Sequence, residues 1–321
     1  MTDALMQIDD LSVGYAVQGG TLKALRRVSL TVRAGEVLGI MGESGCGKST
    51  LAAAMINLLG DNARVTSGAV RYRGRDILTL PVQEQRRLRG RHIAMVFQDP
   101  MTAFNPVLTI GAQLVDYQRN SIASYDRKAR ALAMLEKVGI ADAARCLRLY
   151  PHELSGGMRQ RAAIAAALMM QPDVLIADEP TTALDVTIEA QVIHLLRSLQ
   201  TDFQGAIVVV THHLGVIAEL CDRVAVMYAG EVVEEGAVDD IFHRPRHPYT
   251  AAMLACDPAT LLAGSGHLPT IGGRLPDLRA TPAACAFAPR CTRAQDICHH
   301  TPPRRVTLPN SQTALCHLVR G

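Results

Sequence analysis

The chain has 321 residues, a net charge of +3, no Trp, and only 4% aromatic residues. That length buries a substantial core in one large domain or two unequal ones, while so small a charge and so few aromatics argue against a nucleic-acid surface. Uninterrupted apolar runs such as residues 162–170 fall well short of the roughly 20 residues that cross a bilayer, and Met1-Thr2-Asp3 begins no basic-then-apolar leader, so a cytosolic protein is expected.

From residue 5 to 40 apolar and polar residues alternate around Leu5, Ile8, Leu11, Val13, Val28, Leu30 and Val32, with turn residues at Gly19-Gly20 and Ala34-Gly35. The pattern predicts short antiparallel strands. Tyr15, just past Val13-Gly14, is placed to stack on the base of a bound nucleotide. The apolar run Val37-Leu38-Gly39-Ile40-Met41 then reads as a buried strand, and Leu51-Ala52-Ala53-Ala54-Met55 as the start of a helix. Between them lie Gly42, Glu43, Ser44, Gly45, Cys46, Gly47, Lys48, Ser49 and Thr50.

Strand, glycine loop and helix is the context of a phosphate-binding loop. Without Cβ atoms, Gly42, Gly45 and Gly47 let the backbone turn successive N–H groups onto one anion, and the helix adds the positive end of its dipole. Lys48 reaches the β- and γ-phosphates and the Ser49 hydroxyl serves Mg²⁺, so the loop is expected to bind a nucleoside triphosphate.

Arg71, Arg73, Arg75, Arg86, Arg87, Arg89 and Arg91 make a basic region best read as a solvated face. Ile93-Ala94-Met95-Val96-Phe97 predicts a buried strand ending at Gln98, an amide that either ligates Mg²⁺ or holds the attacking water, or simply ends the strand. Residues 110–138 carry helical spacing at Leu114, Tyr117, Ile122, Ala131, Leu132, Leu135 and Val138, with no strand among them, as an inserted helical subdomain would. Leu154-Ser155-Gly156-Gly157-Met158 precedes a helix expected over residues 159–170; Ser155 is a good N-cap, and the glycines either bare the first N–H groups as a second anion site or, as these residues alone favour, belong to a plain capped helix.

Val174-Leu175-Ile176-Ala177 is a buried strand running into Asp178 and Glu179. Asp178 is placed for the Mg²⁺ water shell and Glu179, one step on, to polarise water. A further strand over residues 206–210 ends at His212 and His213; the first stands where it can touch a γ-phosphate, and the second reads as a surface residue. Strands at residues 224–227 and 231–233 close the core about Ala229-Gly230. Cys46, Cys146, Cys221 and Cys256 read as small core residues, whereas Cys285, Cys291, Cys298 and Cys316 cluster in the last 37 residues. In a reducing compartment four grouped thiols point to a metal rather than disulfides. A [4Fe–4S] cluster or structural Zn²⁺ suits them; no spacing is the short C-x2-C of a zinc ribbon, which favours the cluster, and unligated thiols are the third reading.

Taken in order and spacing, the glycine loop, Gln98, the Leu-Ser-Gly-Gly turn, Asp178-Glu179, Ala183-Leu184-Asp185 and His212 resemble the nucleotide-binding subunit of ABC transporters over residues 5 to about 245. The resemblance implies an α/β fold with an ABC-type phosphate-loop core, an antiparallel β subdomain, an inserted helical subdomain over about 99–170, and a small Cys-rich extension over 246–321. It also implies a dimer that sandwiches ATP. Tyr15, the loop, Gln98, Asp178, Glu179 and His212 of one chain would face Ser155, Gly156, Gly157 and Met158 of another, with Asp185 at the seam. Mg²⁺ would fall to Ser49, Gln98 and Asp178, general-base work to Glu179, and sensing of the γ-phosphate to His212.

Met158 stands where this family most often has Gln, and His213 where it has Asp. Met101, Phe104 and Pro106 would receive a helix of a membrane permease. His247-Pro248-Tyr249-Thr250, the Pro-Gly stretch at 269–276 and the cysteine tail resemble the dipeptide/oligopeptide importer branch, which also includes nickel importers. That branch implies a second, different ATPase chain, two permease subunits and an extracytoplasmic solute-binding protein, with this chain peripheral on the cytoplasmic face of the membrane. A subunit for nickel or another solute, or a non-transport ABC ATPase, is the alternative.

Overall fold

Alternation in the first 33 residues builds a longer hairpin than the expected short strands. In the computed structural model, which describes residues 4–119, 124–182, 185–202, 205–257, 270–280 and 284–320, β1 (Ala4–Val17) and β2 (Gly20–Arg33) each run 14 residues. Asp10 and Arg27 sit at positive φ, 46° and 48°, and the register slips between Ile8 and Val13, so bulges absorb the irregularity that would otherwise end the strands. Next come β3 (Val37–Met41), buried throughout, α1 (Lys48–Met55), β4 (Ala63–Tyr72) and β5 (Arg75–Asp76).

Beyond them lie α2 (Val82–Leu88), β6 (Ile93–Val96), α3 (Ile110–Tyr117), α4 (Ser124–Lys137), α5 (Ala143–Cys146), α6 (Gly156–Leu168), β7 (Val174–Asp178), α7 (Val186–Asp202) and β8 (Ala206–Val210). The chain finishes with α8 (Leu214–Leu220), β9 (Arg223–Tyr228), β10 (Glu231–Ala237), α9 (Val238–His243), α10 (Pro248–Ala255), α11 (Asp296–His300), β11 (Arg305–Thr307) and β12 (Thr313–Leu315).

Two compact units emerge, Leu80–Val209 and Ala4–Thr79 with Val210–Gly321. In the first, strands run in the order β8-β7-β6, with β6 and β7 parallel, and the helices α3, α4 and α6 pack on one another. β6 stops at Val96: Phe97, expected inside the strand, is 40% exposed, because the chain is already turning toward Pro100. Ile122, Ala183 and Leu184 lie outside the described residues.

The second unit holds an antiparallel sheet, β2-β1-β4-β5, and a run of strands β11-β12-β10-β9-β3 in which β3 and β9 are parallel. α8 lies close on β3 because Gly39 has no side chain; a Cβ there would stand 2.6 Å from Ile217 Cδ1. The last two strands come from the C-terminal extension, β12 pairing with β10, so the extension prolongs this sheet. Cys46, Cys146 and Cys221 are buried as expected, whereas Cys256, at the end of α10, is only half-buried.

Candidate nucleotide-binding site

The phosphate loop leaves β3 through Gly42 at φ 153°, where a Cβ would stand 2.2 Å from Met227 O. Gly47, at φ 107°, caps α1, and a Cβ there would lie 2.5 Å from Ala24 O. Neither place admits another residue without moving backbone. Gly47 offers no side-chain cap, so the first N–H groups of α1 stay open to an anion. Leu51, Ala52, Ala54 and Met55 bury the helix and fix that end. The Gly230 N–H donates to Cys46 O, tying the loop to the β9–β10 turn. Burial pushes the Cys46 thiol up, opposed by nearby Lys48, so the thiol in the loop is neutral rather than nucleophilic.

Lys48 is buried, and its ammonium arches across the loop to donate to Gly42 O at 2.8 Å and Glu43 O at 3.1 Å. Ser44, Gly45 and Ser49 are exposed. Tyr15, half-buried near the end of β1, lies with its hydroxyl 3.4 Å from the Thr50 hydroxyl, so the sheet brings the proposed base-stacking ring beside the loop. Thr211 N–H donates to Ile40 O on β3, and His212 follows it, exposed, with its ring 4.6 Å from that of His213 in an edge contact.

The Leu80–Val209 unit carries the other residues. Asp178, buried, is the last residue of β7. Glu179 turns left-handed, φ 47°, and its carboxylate accepts from Gln98 Nε2 at 3.0 Å and from the Thr182 hydroxyl at 2.8 Å. Parallel β6 and β7 end side by side, which is why an amide and a carboxylate 81 residues apart meet. Thr182 is a contact the sequence reading missed, although its place three residues after Glu179 is the ordinary reach of a turn hydroxyl. Gln160, buried on α6, donates to Pro180 O at 2.7 Å and holds the same turn from the helix side.

Ser155 caps α6 by accepting from Met158 N–H at 3.3 Å; Ser155 and Gly156 are exposed, while Gly157 is buried against Ile188. The helix therefore starts at Gly156, before the expected residue 159, because both glycines join its first turn. Asp185 is exposed, its carboxylate accepting from Ile188 N–H at 2.9 Å at the start of α7. Phe104, expected on an open docking surface, is 4% exposed and belongs to the core, whereas Met101 and Pro106 are exposed, together with Val107 and Leu108. Gln113, buried in α3, holds that segment by accepting from Asn105 N–H and donating to Asn105 O and Leu108 O.

Two further residues touch the phosphate loop. The Glu43 N–H donates to the Tyr249 hydroxyl at 2.9 Å, and Arg290 grips the Glu43 carboxylate with two N–H groups at 2.7 and 2.9 Å. Tyr249, Tyr228 and Phe287 form an aromatic cluster with centroids 4.6 to 5.4 Å apart. Both residues belong to sequence stretches that point to the importer branch, but neither pattern signals a loop more than 200 residues away.

The cysteines of the extension are grouped without converging on one point. Cys285 N–H donates to Cys298 O at 3.1 Å, and Cys316 feels the charge of both Cys291 and Cys298. Burial pushes the thiols of Cys285, Cys291 and Cys316 up, so without a cation they stay protonated. Among the described residues, no three His, Cys, Asp or Glu side chains stand close enough to hold a metal ion as placed. No helix among the described residues is long and apolar enough to cross a membrane.

Residues 25–182 match the ABC transporter family, and residues 233–298 match the oligopeptide/dipeptide transporter C-terminal region. The chain is 44% identical over 303 residues, 94% of this chain and 90% of the relative, to the oligopeptide transport ATP-binding protein OppD of Salmonella typhimurium. It is 43% identical over 319 residues, 98% and 95% of the two chains, to the dipeptide transport ATP-binding protein DppD of Bacillus subtilis. Among solved structures, the dimeric post-hydrolysis ATP-binding cassette MJ0796 bound to ADP and Pi matches with a TM-score of 0.65 at 30% identity, covering 73% of this chain and 98% of that one. Phosphate loop, buried Asp178, exposed Ser-Gly turn and whole-length likeness agree, and the chain belongs to the ABC transporter family as an ATP-hydrolysing subunit with the C-terminal region of the oligopeptide/dipeptide transporters.

Proposed function

We propose that the chain powers the import of short peptides through a membrane permease, paired with a second, different ATPase chain and supplied by an extracytoplasmic binding protein. The observation that carries this reading is identity above 40% along nearly the whole chain to peptide-transport ATP-binding proteins, C-terminal region included. Of the transporter's two permease subunits, one would place a helix against the exposed Met101 and Pro106, with Val107 and Leu108, on a segment that Gln113 holds in place. The chain would then sit peripherally on the cytoplasmic face of the inner membrane. Co-purification from membranes tests this: permease subunits should accompany the chain, and peptide with the binding protein should stimulate ATP turnover. Association with a nickel-selective permease would favour the metal-import alternative instead.

In the ATP site, the loop N–H groups and Lys48 bind the phosphates, the ammonium exchanging the carbonyls of Gly42 and Glu43 for β- and γ-oxygens. Ser49, Gln98 and Asp178, hard oxygen donors of the kind Mg²⁺ prefers, would hold that ion, which would supply charge neutralisation of the triphosphate. Tyr15 stacks on adenine. Glu179 orients and deprotonates the attacking water, with Thr182 and Gln98 fixing its carboxylate, and His212 reads the γ-phosphate. Ser155, Gly156, Gly157 and Met158 serve the partner's nucleotide, and Asp185 lies at the seam.

Cys285, Cys291, Cys298 and Cys316 would hold a [4Fe–4S] cluster. The support is the spacing: four thiols lie within the last 37 residues, and none of the gaps is the short C-x2-C of a zinc ribbon; as placed, no three of the described side chains converge on one ion. Bound there, the cluster would crosslink the extension. Anaerobically purified protein should contain iron and acid-labile sulfide in the equal ratio of a cubane; zinc alone, or no metal, would contradict this assignment.

A further inference from the structure

The C-terminal extension reaches the phosphate loop through Tyr249 and, by an ion pair, through Arg290. Arg290 uses all five of its N–H groups: two on the Glu43 carboxylate, one on the Tyr228 hydroxyl at 3.4 Å, and two on the carbonyls of Gly272 at 2.9 Å and Ile271 at 3.1 Å. Its side chain is 5% exposed against 27% for that of Glu43, and the guanidinium lies 5.7 Å from the centroid of the Tyr228 ring. The Tyr249 hydroxyl meanwhile holds the Glu43 N–H. Glu43 is the one acid among residues 42–50.

A carboxylate in an anion-binding loop is opposed to the loop's purpose. Unpaired, it would repel the triphosphate across a partly dry site, where charges are poorly screened. A bidentate guanidinium cancels that charge and fixes its position. Arg290 stands on a single helical turn, Ala288–Arg290, closed by Ala288 N–H on Cys285 O and by Cys291 N–H on Ala288 O, so the turn between two cysteines delivers the charge.

We propose that Arg290 is a positioning residue of the nucleotide site, neutralising and anchoring Glu43 so that the phosphate loop stays receptive to the β- and γ-phosphates. The inference rests on the loop binding ATP, which Lys48→Ala tests separately.

The experiment uses the full chain, purified anaerobically with whatever its cysteines hold, and measures Kd for a fluorescent ATP analogue in Mg²⁺ together with kcat at saturating ATP. Lys48→Ala should lose binding; if it does not, the loop reading itself fails. With that control in place, Arg290→Ala should raise Kd roughly tenfold or more with kcat nearly unchanged. Adding Glu43→Gln to Arg290→Ala should return Kd to within about threefold of wild type, a rescue that general damage to the extension would not give. Glu43→Gln alone, which removes the charge and keeps the arginine, should bind ATP within about threefold of wild type, and this arm stands even if Arg290→Ala does not fold. Wild-type binding by Arg290→Ala, no rescue in the double variant, or a tenfold loss in Glu43→Gln alone would each overturn the proposal.

Discussion

Glu179 sits at φ 47°, a conformation that costs a non-glycine residue of order 1 kcal/mol or more, and its carboxylate is shared between Gln98 and Thr182. That strain turns the side chain out of β7 immediately after the buried Asp178. Replacing the carboxylate by an amide keeps the shape and removes the proposed base, so Glu179→Gln should bind ATP normally and lose roughly a hundredfold or more of its hydrolysis rate; normal phosphate release would remove Glu179 from that role. Gly47 carries the opposite requirement. At φ 107°, with Ala24 O 2.5 Å from where a Cβ would be, Gly47→Ala should lose about 2 kcal/mol or more of stability, read as a lower denaturation midpoint without nucleotide. A midpoint equal to wild type would mean that the loop relaxes freely.

At the scale of elements, α10 is held by a buried polar knot. Glu234, on β10, accepts from the N–H groups of Arg246 and His247 and from Gln312 Nε2, and His247 Nδ1 accepts from Tyr249 N–H to cap the helix. Burial lowers the His247 pKa to about 4 from the ordinary 6.5. The unfolded chain therefore takes a proton that the folded one refuses: stability is whole above pH 6.5 and falls by about 3 kcal/mol as pH drops toward 4. Glu234 acts in the other sense, because burial raises its pKa and its ionised form costs stability as pH rises through the folded value. His247→Asn keeps an acceptor for the helix cap and cannot protonate, so its acid loss should be smaller than wild type's; superimposable pH–stability curves would show that His247 does not contribute.

The same scale explains what could be read from the chain alone. The phosphate loop, Asp178-Glu179 and the Ser155 turn were legible because each needs only a few neighbouring residues of fixed type around a strand end or helix start. Strands β3, β7 and β8 announced themselves as unbroken apolar runs. Contacts set by topology were not legible: Arg290 meets Glu43 across 247 residues, and Thr313 and Ala314 join β10 at an edge that no local pattern marks. Phe104 was misplaced for the same reason, since a loop phenylalanine reads alike whether it faces outward or, as here, the core.

On the scale of the molecule, the chain carries a phosphate loop with Lys48 in one unit and, in the other, an exposed Ser155-Gly156 turn at the start of α6, capped by Ser155. We propose that this exposed turn serves the nucleotide of a second cassette. ATP would then act as glue between facing positive helix ends, and hydrolysis would release it. Ser155→Arg should fill that turn, leaving nucleotide binding by the loop intact while blocking assembly. The most direct measurement is ATP turnover followed together with sedimentation, for the chain alone and titrated with its transporter's second ATPase chain. Turnover should appear only in step with an ATP-dependent two-cassette species and vanish with Ser155→Arg; wild-type turnover by a chain that sediments as a single cassette throughout would contradict it.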